Sequence, residues 1–198
     1  KNALLFYRMG DFYELFFEDA EIASAALNIT LTKRGKYNGK DIPMCGVPYH
    51  SSENYLLNLI RKGYKVAVCE QLEKPEEAKK RGHKAVVKRD VVRLITPGTL
   101  TEERLLNDNE NNFLLSYSKH KNNCSVAWTD ISTGEFYCSS VNDDNIISLI
   151  NRISPTEILI AENFQEDVSL IYLDKNIVIS PLAPQNFAQL ALETNVIA

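Results

Sequence analysis

The first hundred residues alternate short apolar runs with stretches of helical periodicity. Residues 4–9 form an apolar run typical of a strand, and Gly10 and Asp11 then interrupt the chain, with Asp11 placed to cap a helix. Residues 12–27 are rich in Ala, Leu and Glu, and apolar positions recur at intervals of three and four. This pattern predicts a helix over residues 12–27.

The rest of this half continues the alternation of strands and helices. We predict strands at 29–32, 64–69 and 85–95, a polar loop at 35–39, a segment at 42–47 interrupted by Pro43 and Gly46, and a helix capped by Ser51 or Ser52 that runs through Arg61 to Gly63. Strands interspersed with helices predict an α/β domain with a mixed sheet.

The pattern changes beyond residue 112, where strands follow one another directly. Three strands are predicted at 113–117, 125–131 and 135–141, then a helix capped by Asp143 or Asp144 that ends at Ile153, and further strands at 157–160 and 177–179. This order resembles the opening of an RNase H-like fold. The tail from residue 181 shows no closing element, so we expect this domain to be truncated at its C-terminal end.

These patterns divide the chain into two domains and a connection. The stretch 101–112 is rich in Glu, Asn and Asp and predicts an interdomain linker. We therefore assign residues 1–100 to the first domain and residues 113–198 to the second, partial one.

The composition places the chain among ordinary globular proteins. Of its 198 residues, 44% are hydrophobic and 24% charged, and no apolar run approaches the ~20 residues that a membrane span needs. The chain begins at Lys1 without a signal-peptide pattern, which suggests an excised fragment. Its four cysteines show no metal-ligand spacing, so we expect reduced thiols in a cytoplasmic protein.

The formal net charge of -4 conceals an asymmetry between the two halves. Residues 1–104 carry 18 Lys and Arg against 14 Asp and Glu, a net +4, whereas the remainder carries 4 against 12, a net -8. The first half is therefore the one suited to meet a polyanion.

Motifs of enzyme chemistry are missing from the sequence. The segment 35–41 (GKYNGKD) is one residue short of the phosphate-binding pattern GxxxxGK[ST] and ends in Asp. GxSxG, HExxH and GxGxxG are also absent. We therefore predict that this chain is not an enzyme and holds neither a cofactor nor a metal.

The most informative segment is GDFYELF, residues 10–16. In the predicted helix, Phe12, Tyr13, Leu15, Phe16 and Phe17 nearly encircle the axis, and one buried stripe cannot accommodate all of them. A buried face is the ordinary role of such residues. Here at least one aromatic side chain is expected to point outward.

This segment resembles a known family. The run LLFYRMGDFYELFFEDA (4–20) is similar to the start of the mismatch-binding domain of MutS proteins, with its Phe-x-Glu motif. Four further segments resemble that family in the same order: TKRG (32–35), IPMCGVPYHS (42–51), VAVCEQ (66–71) and VVRLITPGT (91–99). In the second half DISTGEF (130–136) resembles the family's connector domain.

The resemblance implies a role for two residues. Phe12 would stack on a mispaired base from the minor groove of duplex DNA, and Glu14 would hydrogen-bond to that base. A carboxylate near phosphates makes sense in one of two ways: Glu14 accepts a base N–H, or it is protonated by desolvation and donates to a base nitrogen. A wedge that unstacks bases reads local deformability rather than sequence.

Further residues are candidates for contacts with the DNA backbone. Lys33 and Arg34 resemble a phosphate-contacting pair, although a solvated turn is an equal alternative. Met44 falls in a segment that approaches kinked DNA in the family, with a core position as its alternative. The basic loop 79–84, which ends at Lys84, is either a backbone clamp or an exposed loop.

The resemblance also implies properties of the full-length protein. It would be a homodimer that binds ATP and Mg²⁺ elsewhere in its chain, and its connector would engage a MutL-type protein. The alternative function is an RNase H-like metal-dependent nuclease, for which the available carboxylates are Asp130, Glu135, Asp143 and Asp144. A pure protein-interaction module would fit the acidic second half but not the Phe-x-Glu segment.

Overall fold

A computed structural model describes residues 3–82, 85–101, 106, 110–120, 123–164 and 176–187. The chain divides into two compact units, residues 1–100 and 101–198. Each unit is built around its own mixed β-sheet.

The first unit contains a six-stranded sheet in the order β3-β4-β2-β1-β5-β6. Its strands are β1 (Leu4–Met9), β2 (Phe12–Phe16), β3 (Thr32–Tyr37), β4 (Lys40–Pro48), β5 (Val66–Gln71) and β6 (Arg89–Ile95). Only β1 and β5 run parallel, and every other neighbouring pair is antiparallel. The mixed sheet expected for this half is confirmed.

Two helices, α1 (Glu18–Leu27) and α2 (Ser52–Arg61), cover one face of this sheet, and the short helix α3 (Pro75–Lys80) follows β5 in the chain. Contacts join α1 to β2 and β4, and α2 to β4 and β5, so these helices pack on the centre of the sheet. Leu15, Ala20, Cys45, Val47 and Leu59 are fully buried there.

The predicted helix over 12–27 is wrong for its first third. Residues 12–16 form strand β2, and the helix begins only at Glu18. Asp11 is not a helix cap, since Gly10 and Asp11 are the two-residue turn that joins β1 to β2, with Met9 paired to Phe12. Gly10 has φ of +60°, as the first position of a type II′ hairpin turn requires.

The predicted loop at 35–39 is also wrong, because these residues belong to a β-hairpin. Strand β3 continues to Tyr37, and Asn38 and Gly39 form a two-residue turn into β4. Their φ angles of 49° and 78° are those of a type I′ turn, which Asn-Gly favours strongly. The interrupted segment at 42–47 is thus part of one nine-residue strand.

The second unit contains a five-stranded sheet in the order β11-β10-β7-β8-β9. The strands are β7 (Phe113–His120), β8 (Asn123–Asp130), β9 (Glu135–Asn142), β10 (Glu157–Ala161) and β11 (Val178–Leu182). The first three form an antiparallel meander, and β10 pairs in parallel with β7 and β11. This is the arrangement expected for an RNase H-like domain.

The core of this unit lies between its sheet and helix α4 (Ile146–Ile153). The helix presents Ile146, Leu149 and Ile150 to the sheet. Its N-cap residue is Asn145 rather than the predicted Asp143 or Asp144, which lie in a preceding 3-10 turn.

Within the described residues, no helix is long and apolar enough to cross a membrane.

Candidate nucleic-acid interface

The face of the first sheet that lies opposite the helices carries the Phe-x-Glu segment. Tyr13 and Leu15 point toward the helices and are buried, so Phe12, Glu14 and Phe16 point the other way. Residues directly across from these three in neighbouring strands share their side of the sheet. We call this surface the open face, and it consists of Tyr7, Met9, Phe12, Glu14, Phe16, Met44, Gly46 and Pro48.

Phe12 is the exposed aromatic residue of the open face. It is the first residue of β2, pairs with Met9 of β1 and Pro48 of β4, and leaves 46% of its surface exposed. Its strand has a hydrogen-bonded neighbour on either side, so the backbone beneath the ring is held in place. The exposed Phe12 ring is therefore attached to a backbone that is hydrogen-bonded on both sides.

Glu14 lies two residues further along the same strand and forms an ion pair. The Nη1 atom of Arg34 lies 2.5 Å from both carboxylate oxygens of Glu14. The Glu14 side chain is only 12% exposed, whereas that of Arg34 is 50% exposed. The positive charge of Arg34, which comes from the β3–β4 hairpin, thus offsets the negative charge of Glu14 on the open face.

Gly46 leaves space beside this carboxylate. It pairs with Glu14 across β2 and β4, and a Cβ atom added to it would lie 3.7 Å from Cγ of Glu14. Its φ lies outside the left-handed region, so the backbone alone does not demand glycine. The absence of a side chain keeps the open face accessible at Glu14.

A polar cluster supports the strand from the helix side. The Tyr13 hydroxyl donates a hydrogen bond to Glu70, and the guanidinium of Arg8 lies 3.3 Å from the centre of the Tyr49 ring. Burial, together with the hydrogen bond to Glu70, holds the pKa of Tyr13 well above its ordinary value. Tyr13 therefore stays neutral and fixes β2 against β5.

The remaining predicted site residues are not gathered at one place. Lys33 precedes Arg34 on β3 but points to the opposite side, where its Nζ atom lies 2.7 Å from Asp41. Met44 is half-buried on the open face, across from Phe16. Lys84 lies outside the described residues. The first part of the basic stretch 79–84 closes helix α3, and Arg81 pairs with Glu73.

Sequence reasoning missed two cations and one glycine. Lys36 and Lys40 flank the tip of the β3–β4 hairpin and are exposed, and among the described residues they form no ion pair. Recognition of Asn38-Gly39 as a hairpin signal would have placed both at this tip. No pattern in a single sequence marks Gly46 as the partner of Glu14.

Comparison with protein families decides where this arrangement belongs. The family model described as MutS domain I matches residues 1–104, and the one described as MutS domain II matches residues 112–190. The chain belongs to the MutS family.

Curated relatives with the name "DNA mismatch repair protein MutS" support this placement. The relative from Ruegeria pomeroyi (strain ATCC 700808 / DSM 15171 / DSS-3) is 53% identical over 194 residues, 97% of this chain and 22% of its own length. The one from Roseobacter denitrificans (strain ATCC 33942 / OCh 114) is 53% identical over 195 residues, 98% of this chain and 22% of its own. This MutS-family chain spans about a fifth of the length of these relatives.

Two acidic residues of the second unit, Asp130 and Asp143, have structural partners. Asp130 is buried and accepts hydrogen bonds from the Ser132 hydroxyl and the backbone of Asn112. Burial opposes its ionisation, but these hydrogen bonds prevail and hold the pKa of Asp130 below its ordinary value. Asp143 pairs with Lys119. Nowhere in the described chain do three potential metal ligands come together.

The segment 35–41 does not fit the phosphates of ATP. A phosphate-binding loop lies between a strand and a helix whose N-terminus faces the ligand. Here the corresponding residues form the tip of the β3–β4 hairpin, with strands on both sides.

Proposed function

We propose that the first unit recognises mismatched or unpaired bases in duplex DNA, with Phe12 as the inserted wedge and Glu14 as its hydrogen-bonding partner. The observation that carries this proposal is the exposure of Phe12 on a strand that is paired on both sides, with Glu14 next to it on the same face. The names of the relatives support the repair context.

The physics of a wedge accounts for selectivity without sequence readout. An apolar side chain pushed between base steps costs a few kcal/mol of unstacking, and the kinked duplex gains contact area in return. A mispaired base has already lost part of its pairing and stacking, so the same deformation costs less there. Discrimination then arises from the local deformability of the duplex.

The β3–β4 hairpin supplies cations for the DNA backbone. Lys36 and Lys40 at its tip are exposed, and Lys33 and Arg34 lie on its first strand. Phosphate contacts of this kind hold a protein on any duplex and carry no sequence information. We propose Lys36 and Lys40 as backbone contacts, with Lys33, Met44 and Lys84 as further candidates.

The second unit is proposed to dock a protein rather than DNA. Residues 105–198 carry a net charge of -8, which disfavours contact with phosphates. By its family, we propose that it engages a MutL-type protein. Homodimerisation and the binding of ATP and Mg²⁺ are proposed for the full-length protein.

The decisive experiment removes the wedge. Phe12→Ala is expected to lower the affinity of the full-length protein for a G·T mismatch about tenfold or more, because base stacking on an aromatic ring contributes roughly 1–3 kcal/mol. Affinity for the matched duplex should hardly change, since phosphate contacts hold it. Equilibrium fluorescence anisotropy on the two duplexes at one salt concentration measures both values.

Two control variants keep this test specific. Phe17 is 50% exposed, much like Phe12, but follows the strand instead of standing on the open face, so Phe17→Ala should leave the ratio of affinities unchanged. Leu15 is fully buried in the same strand, and Leu15→Ala should cost ~2–5 kcal/mol of stability. Equal losses on both duplexes with Phe12→Ala, or unfolding of the domain, would defeat the proposal.

A further inference from the structure

The two partners of the ion pair between Arg34 and Glu14 differ in their exposure to solvent. The Glu14 side chain is only 12% exposed, and a single nitrogen atom, Nη1 of Arg34, contacts both of its carboxylate oxygens. Arg34 comes from the edge strand β3, whose residues are all exposed. The cation is therefore the accessible partner and the acid the enclosed one.

Within the part of the chain that the structure describes, the surroundings of Glu14 offer no second counter-ion. Its cross-strand neighbours are Tyr7 on one side and Gly46 on the other. Among the described residues, Arg34 is its sole ionic partner. Without Arg34, the open face would present an uncompensated negative charge to any duplex that approached it.

We infer that Arg34 is a positioning residue that sets mismatch discrimination by acting through Glu14, rather than by gripping a phosphate. This inference rests on the proposed function. By contacting both oxygens, Arg34 fixes the rotation of the carboxylate and leaves its remaining lone pairs directed away from β3. It also reduces the repulsion that this acid exerts on every duplex.

Lys33 provides a matched comparison on the same strand. It too carries one positive charge and pairs with one acid, Asp41, yet it points to the other side of the hairpin. Substitution of either cation removes one charge from β3. Only the loss of Arg34 leaves Glu14 without its partner.

The test is a double-mutant cycle in the full-length protein. Arg34→Gln should lower the ratio of mismatch to matched affinity by about fivefold or more when Glu14 is present. In the Glu14→Gln background, Arg34→Gln should change that ratio by less than about twofold, because there is no carboxylate left to orient. Lys33→Gln should leave the ratio unchanged in both backgrounds.

A conservative variant adds a further readout. Since one nitrogen makes both contacts, Arg34→Lys should preserve more of the ratio than Arg34→Gln. A ratio that falls equally in both Glu14 backgrounds, or in neither, would overturn the inference and return Arg34 to a plain phosphate contact. So would a lysine variant no better than the glutamine one.

Phe12→Ala, measured alongside, separates this inference from the function on which it rests. If Phe12→Ala lowers the ratio but the cycle shows no coupling, the role of Arg34 alone is wrong. If Phe12→Ala leaves the ratio intact, the proposed function fails and the role of Arg34 fails with it.

Discussion

The side chains of Phe12 and Glu14 point to the same face of the sheet because the two residues are two positions apart on a strand. Side chains at i and i+2 of a strand leave the same face, whereas on a helix they would point about 200° apart. The helix predicted for this segment would have sent the ring and the carboxylate in opposite directions. The strand makes joint action on one base geometrically possible.

Glu14 should act in opposite directions on the two kinds of duplex. Glu14→Ala removes a carboxylate and frees Arg34, so affinity for the matched duplex should rise, by about two- to fivefold. Affinity for the mismatch should fall, because the hydrogen bond to the displaced base is lost. Glu14→Gln should retain more mismatch binding than Glu14→Ala. Titration of both duplexes under the same conditions gives these values.

Asp41 serves as the control for Glu14. It is the other acid of the hairpin, paired with Lys33 on the opposite side. Asp41→Asn should strengthen binding to both duplexes alike and leave their ratio unchanged. If Glu14→Ala weakened both duplexes equally, Glu14 would have a structural role only.

Cys45 should make the stability of the first unit depend on alkaline pH. Burial raises the pKa of its thiol from 9.0 to about 11. The folded state thus binds this proton more tightly than the unfolded state, so the stabilisation is complete below pH 9.0 and is lost as pH rises toward about 11. Urea denaturation at several pH values should show this decline.

Cys45→Ala isolates that contribution. The variant should be less stable than the parent near neutrality, because a buried side chain is shortened. Its decline across the same alkaline range should be shallower. Parallel declines in the two proteins would show that the Cys45 thiol does not titrate in this way.

At the scale of elements, the sequence predicted most of the fold outside the region of the site. Helix α2 lies where serine and glycine signals bounded it, and β7, β8 and β9 lie at the three predicted runs to within a few residues. In α2, β7 and β8 most of the buried positions are apolar, so the apolar pattern follows burial there. Strand β9 departs from this rule, because Phe136 and Tyr137 are exposed.

The link between pattern and burial also explains why the sequence predicts a helix where the structure has β2. Its outward positions include Phe12 and Phe16, so the alternation of apolar and polar residues that marks a half-buried strand is hidden. The exposed Phe12, the proposed wedge, itself breaks the pattern, as expected where a site overrides a local rule. The ion pair of Arg34 with Glu14 could not be foreseen either, since 20 residues separate its partners in the chain.

Strand β4 offers a variant that should block the site without disturbing the fold. Gly46→Val places a β-branched side chain in a strand, where it is favoured. Its Cβ would stand 3.4 Å from the Tyr13 carbonyl oxygen and 3.7 Å from Cγ of Glu14, which are ordinary contacts. Mismatch affinity should fall about tenfold as the added methyl groups cover the carboxylate, while the melting temperature should not decrease.

Gly46→Ala calibrates this effect. It adds one methyl group at the same place and should lower mismatch affinity by less than the valine variant does. Binding by anisotropy and thermal unfolding by circular dichroism measure the two quantities. Unimpaired mismatch binding by the valine variant would mean that the open face at Gly46 stays clear of the DNA.

At the scale of the whole molecule, the two units differ in charge and in proposed partner. The half that carries the open face has a net positive charge, and the other half is strongly acidic. This asymmetry supports the proposal that the first unit attracts DNA and that the second docks a basic protein surface.

Substitutions in the second unit should separate these two roles. Glu135→Gln with Asp144→Asn removes two exposed acids. Mismatch affinity should stay within about twofold, since neither residue belongs to the first unit. Recruitment of a MutL-type protein to the DNA complex, followed by supershift, should weaken. Loss of mismatch binding without unfolding would contradict the division of labour.

Asp130→Asn is the structural control. Asp130 is buried and accepts hydrogen bonds from the turn that follows it, so its substitution should destabilise the second unit. An effect on recruitment that tracks this loss of stability would be indirect.

The two-residue turn before Phe12 also fixes the distance along the strand between Phe12 and Glu14. It makes Phe12 the first residue of β2, and two strand residues span ~6.6 Å to Glu14, whereas the bases of duplex DNA follow one another at ~3.4 Å. In the proposed mode of recognition, the ring and the carboxylate are therefore spaced about two base steps apart. One displaced base would fit within that interval, and a loop of several unpaired bases would exceed it.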